Sequence, residues 1–121
     1  MSFPKKIYTI EEIKKAKTRI DNGYKHKLKI TGMLNFKKKV RKALKLIKIA
    51  KQHDFFRTYI RNIIEINGIT QLRESDATIW TNNYAIENSV DAASLFIQKA
   101  FLMKRYLEGK SYYGGIAEKK S

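Results

Sequence analysis

The chain contains no cysteine and a single proline, Pro4, among its 121 residues. Without cysteine there are no disulfides, thiolate nucleophiles, thiolate zinc sites or iron–sulfur clusters. Histidine is nearly as scarce. His26 and His53 are the only two, and neither has a second His or a carboxylate three or four residues on. The spacing that metal sites need is therefore missing, and no metal is expected. Long apolar runs are missing too. Ile63-Ile64 and Leu95-Phe96-Ile97 are typical of what is present, against the ~20 residues a membrane helix needs. Residues 1–6 lack the apolar core of a secretory signal. Together these absences point to a soluble protein, cytoplasmic or otherwise intracellular.

Catalytic signatures are also lacking. There is no Gly-x-Ser-x-Gly elbow, no Gly-rich loop ending in Gly-Lys-Ser/Thr and no dinucleotide fingerprint, so no cofactor is implied. Gly114-Gly115 is an isolated pair that reads as a turn. Acids number only 11, and Glu65, Glu74, Asp76, Glu87, Asp91, Glu108 and Glu118 are scattered over several elements. A magnesium-dependent nuclease would have to gather such carboxylates through the fold, because no spacing in the sequence does so.

What is abundant is positive charge, and its distribution carries more information than its amount. The formal net charge is +15. Up to Arg61 there are 19 Lys and Arg against four acids, whereas from Asn62 onward seven bases meet seven acids. A basic half, 1–61, thus joins a neutral half, 62–121, within one domain-sized chain. That asymmetry fits a polyanion-facing surface on an ordinary scaffold. Compositional drift toward Lys and Ile codons in an AT-rich genome is the alternative. It accounts for the number of lysines better than for their confinement. Hydrophobic residues at 43% are enough to build a core.

The periodicities predict an α+β fold, with a small antiparallel or mixed sheet, about four helices and a long buried C-terminal helix. Thr9-Ile10-Glu11-Glu12 has capping-box spacing and opens a helix that Asn22-Gly23 ends. From Tyr24 to Thr31, Tyr24, His26, Leu28 and Ile30 alternate with Lys25, Lys27 and Lys29, which predicts a strand with one cationic face. Asn35 is placed to cap a helix over residues 36–52, with Phe36, Val40, Ala43, Leu44, Ile47 and Ala50 on its apolar side. Asp54 is placed to cap the next, short helix. Ile63-Ile64-Glu65-Ile66 predicts a strand and Asn67-Gly68 a tight turn into residues 69–72. Thr78-Ile79-Trp80-Thr81 predicts a further strand. Asn88 or Ser89 caps a final helix from Val90 to Glu108, which Gly109 closes. It is apolar nearly all the way round, so burial or a homo-oligomeric contact is expected for it.

The clearest candidate for function is the second helix. Lys38, Arg41, Lys42, Lys45 and Lys48 share the face opposite the apolar one, and no acid falls between Asn35 and Asp54. At a rise of ~1.5 Å per residue they cover about 15 Å, which suits contact with several phosphates. Lys far outnumbers Arg, which favours point-charge phosphate contacts over base reading, hence low sequence specificity. Lys25, Lys27 and Lys29 would extend the patch if their strand face is open. Among the aromatics, Tyr24, Phe36, Phe55, Phe56, Tyr59, Phe96 and Phe101 fall at core-like positions. Trp80, Tyr84, Tyr112 and Tyr113 lie near loops, where either packing or base stacking suits them.

The C-terminal third also carries a pattern of its own. Ala77-Thr78-Ile79-Trp80 is followed by residues 92–102, AASLFIQKAFL, then by Tyr106-Leu107-Glu108-Gly109 and Tyr113-Gly114-Gly115-Ile116-Ala117-Glu118. This series resembles the active-site region of zincin-type, lethal-factor-like metallopeptidases, in which a strand precedes a buried helix bearing His-Glu-x-x-His. Here Gln98, Lys99 and Leu102 stand at the three motif positions, and only Glu118 matches a ligand position. The resemblance therefore implies a catalytically inactive relative serving as a protein-interaction module. The residues themselves favour a non-enzymatic, basic protein that binds DNA or RNA through phosphate contacts.

Overall fold

The computed structural model describes residues 3–109, and these form an α+β fold of four helices and a four-stranded mixed sheet. The elements run α1 (Ile10–Asp21), β1 (Lys29–Thr31), α2 (Leu34–Ile49), α3 (His53–Tyr59), β2 (Asn62–Glu65), β3 (Gln71–Arg73), a 3-10 turn (Glu74–Asp76), β4 (Thr78–Thr81) and α4 (Ser89–Leu107). Strand order is β1-β2-β4-β3. The first three strands in that order are parallel, and β3 runs antiparallel to β4 at the edge. Parallel neighbours need a long crossover, and α2 with α3 supplies it between β1 and β2.

Ile30, Ile63, Ile79 and Leu72 lie in one register row across the sheet. Ile63 and Ile79 are fully buried, and Ile30 and Leu72 pack against the same core. Burying each central isoleucine contributes about 1.5–3 kcal/mol. Above this row sits α4, whose Ala92, Phe96, Ala100, Met103 and Leu107 recur every three or four residues on its buried side. The helices α1, α2 and α3 all pack against α4, which makes the C-terminal helix the hub of the core. It is not buried all round: Val90 and Phe101 are exposed.

Local signals set several helix ends. Thr9 and Glu12 form the expected capping box, with Oγ1 of Thr9 accepting from the Glu12 amide and the Glu12 carboxylate accepting from the Thr9 amide. Oδ1 of Asn88 accepts from the Asp91 amide at 3.0 Å to start α4. Gly23 and Gly109, both at positive φ, follow the ends of α1 and α4, as the left-handed position after a helix requires.

Four local expectations are corrected. First, only Lys29–Thr31 pairs as a strand. The preceding stretch is held by the Arg57 side chain and backbone, which bond the His26 carbonyl and amide at 2.9 and 2.8 Å. Second, Asn35 lies inside α2, two residues past the position that caps it. Its N-cap is Met33, whose amide donates to the Glu65 carboxylate at 2.8 Å. Third, α3 starts at His53 after Gln52, and Asp54 sits in its first turn without a side-chain cap bond. Fourth, Asn67-Gly68 does not join a hairpin. The chain instead swings outward to β3 and returns through the 3-10 turn and Ala77, at φ 52°, so that β4 slots between β2 and β3.

Glu65 is thus a distant cap that couples the end of β2 to the start of α2. A carboxylate there also meets the positive end of the helix dipole. Gly32 makes the approach feasible, since a Cβ on it would lie 2.7 Å from Phe36 Cδ2 and 2.8 Å from the Glu65 carboxylate. In urea titrations, Glu65→Ala is expected to lower stability by about 1–2 kcal/mol. Gly32→Ala should cost about 1–3 kcal/mol by overpacking. Values near zero for both would contradict this coupling.

Candidate nucleic-acid interface

The helix α2 presents two opposed faces. Phe36, Val40, Ala43 and Ile47 are buried on one side. Lys38, Arg41, Lys42, Lys45 and Lys48 are all exposed on the other. Four of these five fall within about a quarter turn of the helix surface, at ~100° per residue. None of the five forms an ion pair with a described acid. Lys39, on the flank of the stripe, is engaged by the Glu87 carboxylate and the Asn83 carbonyl. The same flank continues as an apolar groove between α2 and α4, lined by Leu46, Ala50, Ala93, Ile97 and Phe101 among others, with a volume of about 790 Å³.

The lysines of the segment before β1 do not join this stripe. Lys27 and Lys29 are exposed and Lys25 is half-buried, alternating with the inward His26 and Leu28. Lys29 pairs in register with Asn62, and its neighbour Ile30 points into the core. Lys27 and Lys29 therefore belong to the sheet side of the molecule, facing away from the core in the opposite sense to α2. Arg73 and Trp80 lie on that same sheet side, with the guanidinium 4.1 Å from the ring centroid. Trp80 lies in β4, the strand its β-branched and aromatic neighbours predicted. Its contact with Arg73 is not legible from residue patterns, because it depends on the register of β3 against β4. Tyr84 is 87% exposed beyond the end of β4. Phe36, Phe56 and Phe96 are buried as expected, but Phe101 is 49% exposed. Tyr112, Tyr113, Gly114-Gly115 and Glu118 lie outside the described residues.

The acids do not gather. Glu65 caps α2, Glu87 holds Lys39, Asp76 holds Lys6, and Glu108 holds Lys104 at 3.1 Å. Among the described residues no three His, Asp or Glu side chains form a group able to hold a metal ion. Of the positions that carry the metallopeptidase resemblance, Gln98 is exposed and lines the apolar groove, while Lys99 and Leu102 are half-buried on α4. No helix among the described residues is long and apolar enough to cross a membrane.

Among the described residues His26 is the one deeply buried titratable group, at 1% exposure. It sits edge-on to Phe3 and Tyr24, with ring centroids 4.6 and 5.1 Å away. Burial, and then the charges of Arg61 and Arg57, hold its imidazole down at about 4, from an ordinary value of 6.5. His53 is also pushed down, by burial and then by Lys48 and Arg57. A neutral, buried His26 suits a core residue and gives no proton-transfer partner. Because its folded pKa lies below the unfolded one, its contribution is full above about pH 6.5 and is lost as pH falls toward 4. The stability difference between the natural chain and His26→Phe should shrink by about 3 kcal/mol between pH 7 and pH 4. A difference that stays constant across that range would show that His26 is not held neutral.

Comparison of the chain with known protein families, with curated proteins and with solved structures gives no match.

Proposed function

We propose that this is a non-enzymatic nucleic-acid-binding protein that grips the phosphate backbone with the basic face of α2. The observation that carries the reading is the stripe itself: Lys38, Arg41, Lys42, Lys45 and Lys48 are exposed, aligned and without ion-pair partners among the described acids. Like charges at these spacings repel by a few tenths of a kcal/mol per pair. A row of phosphates relieves that repulsion and releases counterions as it binds. Ammonium groups contact phosphate as point charges and read little of the base edges, so binding is expected to depend weakly on sequence. The apolar groove beside α2 gives the protein-interaction reading a place, but no feature of it selects a partner.

Binding to duplex DNA across a salt series tests the proposal. Five phosphate contacts predict a slope of log K against log salt of roughly −4 to −5. Reversing Lys38, Arg41, Lys42 and Lys45 to Glu should remove most of that slope and lower affinity at least about a hundredfold, with circular dichroism unchanged. Equal affinity in the reversed chain would sink the assignment to α2.

A further inference from the structure

We propose that the outer face of the sheet is a second site, a stacking platform for single-stranded nucleic acid centred on Trp80 and Arg73. This rests on the nucleic-acid reading above but concerns a different surface and a narrower ligand. The strand registers place two rows of side chains on the face opposite the core. One row is Thr31, Ile64, Trp80 and Gln71, and the other is Lys29, Asn62, Thr78 and Arg73. Lys29, Thr31, Gln71 and Arg73 are exposed at the two edges, and Ile64 and Trp80 are half-buried between them. Thr78 is buried and Asn62 half-buried in the second row. The open part of the face is therefore the Thr31–Ile64–Trp80–Gln71 row, with its apolar and aromatic residues in the middle and cations at the rim.

The chemistry of the rim selects the occupant. Lys27 and Lys29 stand on the β1 edge and Arg73 on the β3 edge. Lys5 and Arg61 line a hollow of about 170 Å³ next to Ile64 and Trp80. Asp76, the one acid lining that hollow, is already paired with Lys6. A polyanion is thus favoured over a neutral or basic partner. The Arg73 guanidinium lying over the Trp80 ring provides a stack onto which a base can add, since guanidinium planes and aromatic rings both accept base faces. Strands ~4.8 Å apart make the four-stranded face about 14 Å wide, room for about two or three bases. A duplex hides its base faces in its own stack, so the fit is poorer there. The fit is to unpaired bases.

Trp80 is the only tryptophan in the chain, so its fluorescence reports on this face alone. The intact chain is titrated with short oligothymidylate, with oligouridylate and with a duplex of the same length. Single strands are expected to quench Trp80 and the duplex to leave it nearly unchanged. Arg73→Ala, an exposed substitution, should weaken single-strand binding about tenfold while duplex affinity stays within about twofold. Trp80→Phe keeps a ring in the strand but removes the fluorophore, so it is followed by anisotropy of a labelled oligonucleotide, where it should show a smaller loss of the same kind. The quenching should persist when Lys38, Arg41, Lys42 and Lys45 are reversed to Glu. If single strands bind without quenching and neither variant matters, the platform is overturned while the α2 assignment stands. Quenching that survives charge reversal beside unchanged duplex binding keeps the platform and removes α2. Polyglutamate that quenches Trp80 as strongly as the oligonucleotides would assign the face to acidic polypeptides instead, and absence of binding to every nucleic acid would overturn both proposals.

Discussion

The contact between α2 and α4 is the constraint on which the rest of the molecule depends. Phe36, Val40, Ala43 and Ile47 are buried from one side of α2, and Ala92, Phe96 and Ala100 are buried from α4. Burial of Phe36, Val40 and Ile47 alone contributes about 5–9 kcal/mol. The five like-charge pairs on the opposite face of α2, at three- and four-residue spacings, cost about 1–2.5 kcal/mol together. Packing therefore wins comfortably. A helix fixed so firmly on one side can hold a dense, unpaired cationic face on the other without unfolding.

The same helix ties the sheet to the core at its other end. Glu65 closes β2 and caps α2 in one hydrogen bond, so the orientation of the basic stripe is set by the parallel strands beneath it. The N-terminal segment is anchored in similar fashion. The Tyr106 hydroxyl donates to the Ile7 carbonyl at 2.6 Å, and Ser75 and Arg61 bond to the same stretch. The bonds from Tyr106 and Ser75 run between the basic and neutral halves of the sequence. The halves differ in charge, but they share one core.

Much of this was legible from residue patterns, and the limits have a physical pattern too. The capping box at Thr9, the Asn88 cap and the closing Gly109 were readable because donor and acceptor lie within a few residues of one another. The exposed and buried faces of α2 followed from 3.6-residue periodicity. The cap of α2 was not readable, because its acceptor, Glu65, lies 32 residues away in sequence. Asn67-Gly68 misled because a turn signal specifies a reversal but not which strand the chain will meet next. For the same reason the strand alternation at Tyr24–Thr31 overstated the pairing: an extended segment can alternate while bonding to a helix end, as His26 does with Arg57. The open sheet face with Arg73 on Trp80 emerged only from non-local register, which propensity does not encode.

The role proposed for the ordered cations of α2 is that of a phosphate-binding surface. Amide chemical-shift mapping during titration with a short DNA duplex at low salt tests it most directly, because it locates contact residue by residue. The largest shifts are expected along residues 38–48, at the exposed positions, fading as salt is raised. Shifts confined to the α2–α4 groove, or no shifts at all along α2 at saturating duplex, would contradict it.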